Sequence, residues 1–350
     1  MAMNSLRNIM IRMACLVLFH TGYFDRKISQ VKGKAIILMY HRVSNFYGVG
    51  EYHNPYKRGI DLPRFEQQMR FISEKMHPIH MQTLVSRIRE GKGIHPKSII
   101  VTFDDGYEDN YTNAFPILKK YSIPATIFLT VGSVNTKSSF WWDVLGELIE
   151  KSKVDYLNGR TLERLIGRPN SKIIGRIPIF RAIEKDRAVT LLSNKLKKLD
   201  TEHLWWAVEG IRNAVGLYGT ELEKQEMLNW EQIEEMSQVG IEFGSHTVTH
   251  PDLGRIGQHR IESELRNSKK ILESKLERRV QGIAIPYGLK QNYDSEVLNL
   301  VKKVNYQYCL TAVPGTANSM SDVFEMRRVS GGSAFLPIFV WKISKYMQQN

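Results

Sequence analysis

The stretch SIIVTFDDGY (residues 98–107) joins a short run of mostly β-branched residues to two adjacent aspartates, Asp104 and Asp105. Such a run predicts a strand that is buried on both faces, as in a parallel sheet. Active sites of α/β barrels lie at the carboxyl ends of their strands, which is where these aspartates fall. Two crowded carboxylates stay ionised only with compensation, and a bound metal ion is the simplest kind. The alternative is an ordinary D-G turn.

Four further runs of this kind predict the rest of a sheet: AIILMY (35–40), ATIFLT (125–130), GIEFGS (240–245) and VQGIAI (280–285). Between the runs lie segments with helical periodicity, at residues 62–76, 113–121, 230–239, 259–276 and 295–304. This alternation predicts an α/β barrel or an open α/β sheet over residues 35–332. Residues 133–228 interrupt the rhythm, because their apolar spacing indicates helices without intervening strands. We therefore expect a mostly helical insertion that packs on the same body.

A second candidate cluster follows the run at 240–245 and reads SHTVTHPDL (residues 245–253). His246 and His250 are four residues apart, a spacing at which two imidazoles can converge on one ion. Two neutral imidazoles and one carboxylate form a three-ligand set that leaves a position open for water, as in catalytic zinc sites. A lone pair of histidines at this spacing is more often a chance surface feature. Its position at a strand end, matching that of the aspartates, favours a metal site.

The motifs TFDDGY (102–107) and SHTVTHPDL (245–253) together resemble the first two signature motifs of the polysaccharide deacetylase family. The resemblance covers residues 35–132 and 229–330 and leaves the insertion and both termini outside it. It implies a distorted (β/α) barrel in which Asp104 acts as the general base. It further implies that Asp105, His246 and His250 bind a divalent metal ion, for which Zn²⁺ is the leading expectation.

Residues 284–288 read AIPYG and resemble the family's R-x-P-[FY]-G motif, except that the arginine is missing. The match implies that the backbone N–H of Tyr287 helps to hold the oxyanion of the reaction. The family's arginine orients the catalytic aspartate, and here a guanidinium can come from EMRRV (325–329), which resembles the later L-P-R-[IV] stretch. Arg328 fits that register better than Arg327. The alternative for both arginines is a solvated basic pair at a strand edge.

The general-acid histidine that the family usually carries near its C-terminus is absent, since no histidine follows His259. The stretch ILMYHRV (37–43) resembles the N-terminal Y-H-x-[VI] element of a permuted branch, which includes exopolysaccharide and poly-N-acetylglucosamine deacetylases. This resemblance implies that His41 is the general acid. The alternative is a hydrogen-bonded histidine that caps a strand.

The resemblance implies a metal-dependent hydrolase that removes an N-acetyl or similar N-acyl group from a sugar in cell-surface glycan or exopolysaccharide biosynthesis. The metal ion lowers the pKa of a water molecule, Asp104 accepts its proton, and His41 protonates the departing amine. The competing hypothesis is a non-catalytic glycan-binding protein that keeps the barrel, and the missing motif arginine supports it. Nucleic acid is not an expected partner, because the sequence has no helix-turn-helix, finger or aromatic RNA-binding signature.

The net charge of +13 indicates attraction to an anionic partner, although charge alone does not choose among nucleic acid, phospholipid and phosphorylated substrate. The basic segment 1–34 contains an apolar run, residues 13–19, that is too short to span a bilayer. A packed helix and an amphipathic helix on a membrane surface fit this segment equally well. A signal peptide fits less well, because no A-x-A-like site follows the run. The C-terminal tail, residues 333–350, is likewise apolar and basic.

The two cysteines, Cys15 and Cys309, lack the spacing of a disulfide framework or a zinc module, which favours a reducing compartment. We therefore expect a cytoplasmic protein with peripheral association at the inner face of an anionic membrane. An enzyme placed there would meet its sugar as a polyprenyl-linked precursor, which accounts for both the charge and the apolar ends. The aromatic pairs Trp141-Trp142 and Trp205-Trp206 fit either such a surface or an ordinary core.

Overall fold

The computed structural model describes residues 2–44, 59–167, 175–332 and 335–349, with side chains from residue 10 onward. The strands are β1 Lys34–Tyr40, β2 Val43–Ser44, β3 Ile60–Asp61, β4 His77–Pro78, β5 Ser98–Phe103, β6 Ala125–Leu129, β7 Tyr156–Asn158, β8 Arg176–Pro178, β9 Glu242–Ser245, β10 Gly282–Ala284, β11 Tyr308–Leu310, β12 Ala317–Asn318 and β13 Val329–Ser330. The α-helices are α1 Ala2–His20, α2 Tyr23–Ser29, α3 Leu62–Lys75, α4 Met81–Arg89, α5 Phe115–Lys120, α6 Trp141–Glu150, α7 Gly159–Ile166, α8 Ala182–Leu196, α9 Thr201–Ala214, α10 Trp230–Gln238, α11 Gln258–Leu276, α12 Ser295–Lys303 and α13 Leu336–Gln348. A π-helical turn, Asn110–Ala114, leads into α5.

The central strands form one curled sheet in the order β11, β10, β9, β6, β5 and β1, and every neighbouring pair along this path is parallel. At its far edge β12 pairs with the start of β1 and β13 pairs with the end of β1. The segment before β13 also joins β11, because Met326 N donates to Cys309 O (3.0 Å) and Thr311 N donates to Met326 O (2.9 Å). Residues 326–330 therefore close the sheet into a distorted barrel. The predicted fold class is confirmed.

The five runs predicted as strands all form parallel strands of this sheet. Strands β1, β5, β6 and β10 read as apolar runs because both of their faces are buried, whereas β9 is only partly buried at Glu242 and Phe243. In β5, Ile99, Val101 and Phe103 join the core that the sheet shares with the surrounding helices. Ile100, which points to the opposite face, joins a second core with Ile37 and Phe128 from the neighbouring strands. The period of two therefore divides each strand between two apolar environments.

Residues Thr136–Met227 fall in a second compact unit, and its described part contains α6, α7, α8 and α9. The expectation that no strands intervene between these helices is wrong, since β7 and β8 pair antiparallel. Each of these strands has three residues, too few for an alternating pattern to stand out in the sequence. Trp141 and Trp142 are buried, whereas the other aromatic pair, Trp205 and Trp206, is exposed.

The two ends of the described chain meet in one layer of helices. Both α1 and α2 pack against α13, which in turn packs against β1 and α3. The sides of these helices that face the core are buried, at Cys15, Phe24, Ile28, Phe339, Val340 and Ile343. The N-terminal helix is thus packed along one face, while its other face exposes Met10, Met13 and Val17. Among the residues the structure describes, none of the helices is long and apolar enough to cross a membrane.

Candidate active site

Three side chains from two loops converge at the carboxyl end of the sheet: Asp105, His246 and His250. Asp105 follows β5, and the two histidines follow β9, which is separated from β5 by β6 alone. The Nε2 atoms of both histidines lie 3.5 Å from Asp105 Oδ1. Ligands bound to one tetrahedral ion at ~2.0–2.1 Å stand ~3.4 Å apart, so this spacing fits a single metal ion. One carboxylate and two imidazoles are also a donor set that suits Zn²⁺.

Both histidines are held in the neutral form that binds a metal ion. His246 Nδ1 lies 2.8 Å from Ala284 O, so Nδ1 carries the proton and the Nε2 lone pair is left for the cluster. Burial lowers the pKa of His246 to about 4, against the opposing charge of Asp104. Burial and the adjacent His246 also hold the pKa of His250 well below its usual range. At neutral pH neither ring carries a charge that would repel a cation.

A tight turn after β5 places the two aspartates. Asp105 (φ 77°) and Gly106 (φ 86°) both adopt the left-handed conformation, which aspartate tolerates better than most residues. The backbone of Gly106 favours glycine because side chains are strained at this φ, and a Cβ there would also lie 2.8 Å from Leu129 Cδ2. The D-G turn and the metal-site interpretation are therefore not alternatives, because the turn brings the Asp105 carboxylate to the histidines.

Asp104 forms a buried bidentate ion pair with Arg328. Arg328 Nη1 donates to Asp104 Oδ1 and Nη2 donates to Asp104 Oδ2, both at 2.7 Å. The guanidinium donates two further hydrogen bonds, from Nη1 to Thr102 Oγ1 (3.2 Å) and from Nε to Thr311 O (2.8 Å). Arg328 is 1% exposed, so the solvated-pair alternative is wrong for it, whereas Arg327 is exposed. The guanidinium that AIPYG lacks is thus supplied to Asp104 from the segment that closes the barrel.

This ion pair controls the charge of Asp104. Burial alone would raise the pKa of its carboxyl group, but the nearby Arg328, His246 and His41 outweigh burial and hold that pKa well below its usual range. Asp104 is consequently ionised at neutral pH. Arg328 uses one lone pair on each carboxylate oxygen, and a carboxylate has about four acceptor sites, so Asp104 keeps acceptor capacity for a further donor.

His41 lies beside Asp104 because β1 and β5 pair in register as far as Tyr40 and Phe103. Asp104 N donates to Tyr40 O (3.0 Å), so His41 and Asp104 are the next residues of the two strands. His41 is exposed, as a group that contacts substrate must be. Desolvation by the surrounding protein lowers the pKa of its imidazole, and the charge of Asp104 opposes that shift.

The π-helical turn holds the segment that follows β1. Asn110 Nδ2 donates to His41 O (2.7 Å). The buried Asp109 accepts hydrogen bonds from Val43 N (3.2 Å) and from Arg42 Nε (2.7 Å). These contacts fix the backbone of His41 relative to the turn that carries the aspartates. These hydrogen bonds could not be predicted from the sequence, because the residues that form them are far apart in the chain and a π-helical turn has no simple residue pattern.

Tyr287 lies next to the cluster, just beyond β10. Its ring packs edge-on against the ring of His250, with centroids 4.9 Å apart. Tyr287 (φ 61°) and Gly288 (φ 61°) form a left-handed turn. A Cβ on Gly288 would lie 2.6 Å from Ala312 N, which accounts for the glycine of the P-Y-G stretch. All seven residues singled out from the sequence therefore lie in this region, at Asp104, Asp105, His41, His246, His250, Tyr287 and Arg328.

A family model described as polysaccharide deacetylase matches residues 91–155 and 192–309, just over half of the chain. The chain belongs to the polysaccharide deacetylase family. This deacetylase is 25% identical over 314 residues to YxkH of Bacillus subtilis (strain 168), itself named as a polysaccharide deacetylase, across 86% of this chain and 75% of YxkH. It is 33% identical over 131 residues to the poly-β-1,6-N-acetyl-D-glucosamine N-deacetylase of Staphylococcus aureus, across 35% of this chain and 44% of that enzyme.

Solved structures of other deacetylases share the fold. PplD of Streptococcus pyogenes matches with a TM-score of 0.57 at 19% identity, over 91% of this deacetylase and 100% of PplD. IcaB of Ammonifex degensii matches with a TM-score of 0.55 at 17% identity, over 91% of this chain and 98% of IcaB. These two matches support the barrel. The family membership confirms the predicted enzyme class, a deacetylase that acts on glycans.

Proposed function

We propose that this deacetylase is a Zn²⁺-dependent hydrolase that removes N-acetyl or similar N-acyl groups from sugars of a cell-surface glycan or exopolysaccharide. The observation that carries the proposal is the convergence of Asp105, His246 and His250 next to the Asp104–Arg328 ion pair. The similarity to an enzyme named for a β-1,6-N-acetylglucosamine polymer supports an N-acetylated sugar as the substrate.

Asp105, His246 and His250 would hold the metal ion, which when bound acidifies water and polarises the amide carbonyl. Asp104 accepts the proton of the attacking water at its carboxylate. Arg328 keeps that carboxylate ionised and in place.

The remaining residues act on the oxygen and the leaving group. The backbone N–H of Tyr287 donates to the developing oxyanion, a contribution of ~3 kcal/mol for one such donor. His41 acts in its protonated form, which the charge of Asp104 favours, and donates that proton to the nitrogen of the departing amine. This step is required because an amide anion is too basic to leave unprotonated.

Metal content tests the proposal most directly. We expect the purified enzyme, loaded with Zn²⁺ and freed of excess by gel filtration, to retain one equivalent, and His246→Ala to lose most of it because one of three ligands is gone. The measurement is elemental analysis. The matched control is His259→Ala, which removes an exposed histidine of α11 and should leave the equivalent intact. A full equivalent retained by His246→Ala would overturn the site assignment.

We further propose that the enzyme works in the cytoplasm at the inner face of an anionic membrane, on a polyprenyl-linked sugar. Met10, Met13 and Val17 share one face of α1 and are 65%, 57% and 60% exposed. Neither α1 nor the adjacent α13 contains an acidic residue, and α13 adds the exposed Trp341 and Lys345. Exposed apolar side chains among basic ones suit the headgroup region of an anionic bilayer.

Vesicle binding tests this surface. Burying two apolar side chains is worth ~1.5–3 kcal/mol each, so Met13→Glu/Val17→Glu should weaken binding to phosphatidylglycerol-containing vesicles by more than ~10-fold in a flotation assay. The control is Val239→Glu, which places the same charge at an exposed apolar position outside the helix layer. Equal binding by the wild type, the double variant and the control would show that the exposed face of α1 does not bind the membrane.

A further inference from the structure

Glu264, on α11, is a buried carboxylate that contacts the loop carrying both candidate histidine ligands. It is 6% exposed. Its Oε2 accepts hydrogen bonds from Val248 N (2.8 Å) and Thr249 N (3.0 Å), and its Oε1 accepts one from Thr249 Oγ1 (2.6 Å). Among the residues that the structure describes, no lysine or arginine forms an ion pair with it. Donors of the loop itself therefore satisfy this buried carboxylate.

The loop needs external support, because its backbone is strained. Thr247 (φ 68°) and His250 (φ 59°) both adopt the left-handed conformation, which non-glycine residues rarely do. Such conformations persist only where surrounding contacts hold them. On one side the loop carbonyls do so, since Val131 N donates to Thr247 O (3.1 Å) and Gly132 N donates to Val248 O (2.9 Å).

On the other side of the loop, the N–H groups of Val248 and Thr249 donate hydrogen bonds to Glu264. The two residues that it binds lie between His246 and His250 in the chain, so a shift of their backbone would move the two imidazoles relative to each other. The rings now lie with centroids 4.8 Å apart and planes at 70°. Without the carboxylate, two buried N–H groups and a hydroxyl would seek other partners, and the loop would shift toward less strained conformations.

We infer that Glu264 is a positioning residue for the metal site, one that sets metal affinity without being a ligand. This inference rests on the proposed metal dependence. Residues that orient metal ligands from outside the coordination sphere typically contribute ~10- to 100-fold to affinity. Glu264→Ala should accordingly weaken Zn²⁺ binding by ~10- to 100-fold.

Glu264→Gln distinguishes hydrogen bonding from charge. The glutamine carbonyl oxygen can accept from both loop N–H groups, and its amide can donate to the Thr249 hydroxyl. We therefore expect Glu264→Gln to recover most of the affinity that Glu264→Ala loses. The measurement is the Zn²⁺ dissociation constant of the full chain by competition with a chromophoric chelator, which does not depend on turnover.

The matched control is Glu273→Ala on the same helix. Glu273 accepts a hydrogen bond from Val280 N (3.0 Å) on a different loop, so its loss should leave Zn²⁺ affinity unchanged. Should Glu264→Ala fail to fold, Thr249→Val removes the hydroxyl bond alone and should weaken binding several-fold. Wild-type affinity in Glu264→Ala, equal losses in Glu264→Ala and Glu273→Ala, or no recovery in Glu264→Gln would each overturn the inference. A wild-type protein that binds no Zn²⁺ would instead count against the proposed function.

Discussion

Asp104→Asn should lose hydrolysis of an N-acetylglucosamine oligomer by ~100- to 10,000-fold, the range for removal of a general base, while retaining its metal ion. Asparagine matches aspartate in size but cannot accept the proton of water. Asp104 lies outside the three-residue cluster that would bind the ion. Turnover and metal content are measured on the same preparation. Parallel loss of metal and activity would make Asp104 a ligand rather than a base.

Stability offers an internal control for this variant. Arg328 is 1% exposed, and removing its partner's charge leaves a buried cation uncompensated, a cost of ~3–5 kcal/mol in comparable cases. Asp104→Asn should therefore unfold at lower urea concentration than the wild type. Adding Arg328→Met to it should restore part of the loss, because the unpaired charge is then gone. If the double variant is no more stable than Asp104→Asn, the ion pair contributes less to the free energy of unfolding than its geometry indicates.

The same variant tests the lipid-linked substrate in cells. Cells that carry Asp104→Asn should accumulate the fully acetylated form of a polyprenyl-linked glycan, detected by mass spectrometry of extracted lipids. If only polymeric glycan changes its acetylation, the lipid-linked proposal is wrong, while the role of Asp104 stands.

His41→Ala should separate two kinds of substrate. Cleavage of an N-acetyl sugar should fall by ~100-fold or more, because the amine must be protonated as it leaves. An activated aryl acetate should be spared, since its phenolate leaves without a proton. The measurement is kcat/KM for both substrates with the same Zn²⁺-loaded protein.

Two outcomes would contradict this role. A purely structural His41 would lower both activities together or neither. His259→Ala, an exposed histidine away from the cluster, serves as the control and should change neither rate. Wild-type protein without metal-dependent turnover of either substrate would argue against the proposed mechanism as a whole.

The strands and the candidate metal site could be predicted from the sequence because both leave local patterns in it. A strand buried on both faces must be apolar at nearly every position, which made SIIVTF and AIILMY visible as runs. Parallel strands end at one edge of a sheet, so the polar residues after β5 and β9 were expected to lie near one another. The family resemblance, rather than this pattern, singled out Asp105 instead of Asp104 as the partner of the two histidines. The pairing of β7 with β8 was not predicted, because strands of three residues are too short to show an alternating apolar pattern.

Tertiary structure alone decided the contacts between distant segments. Sequence register favoured Arg328 over Arg327, but only the barrel closure by residues 326–330 shows which guanidinium points inward at Asp104. Asp109 and Asn110 form hydrogen bonds with the segment that carries His41, and these depend on a π-helical turn. The spacing of apolar residues in the sequence does not predict such a turn. Glu264 looked like any charged residue of an amphipathic helix. Its proposed role follows only from the fold, which places this buried carboxylate against backbone N–H groups. Nearly every residue has such a group, so the sequence carries no signal for the contact.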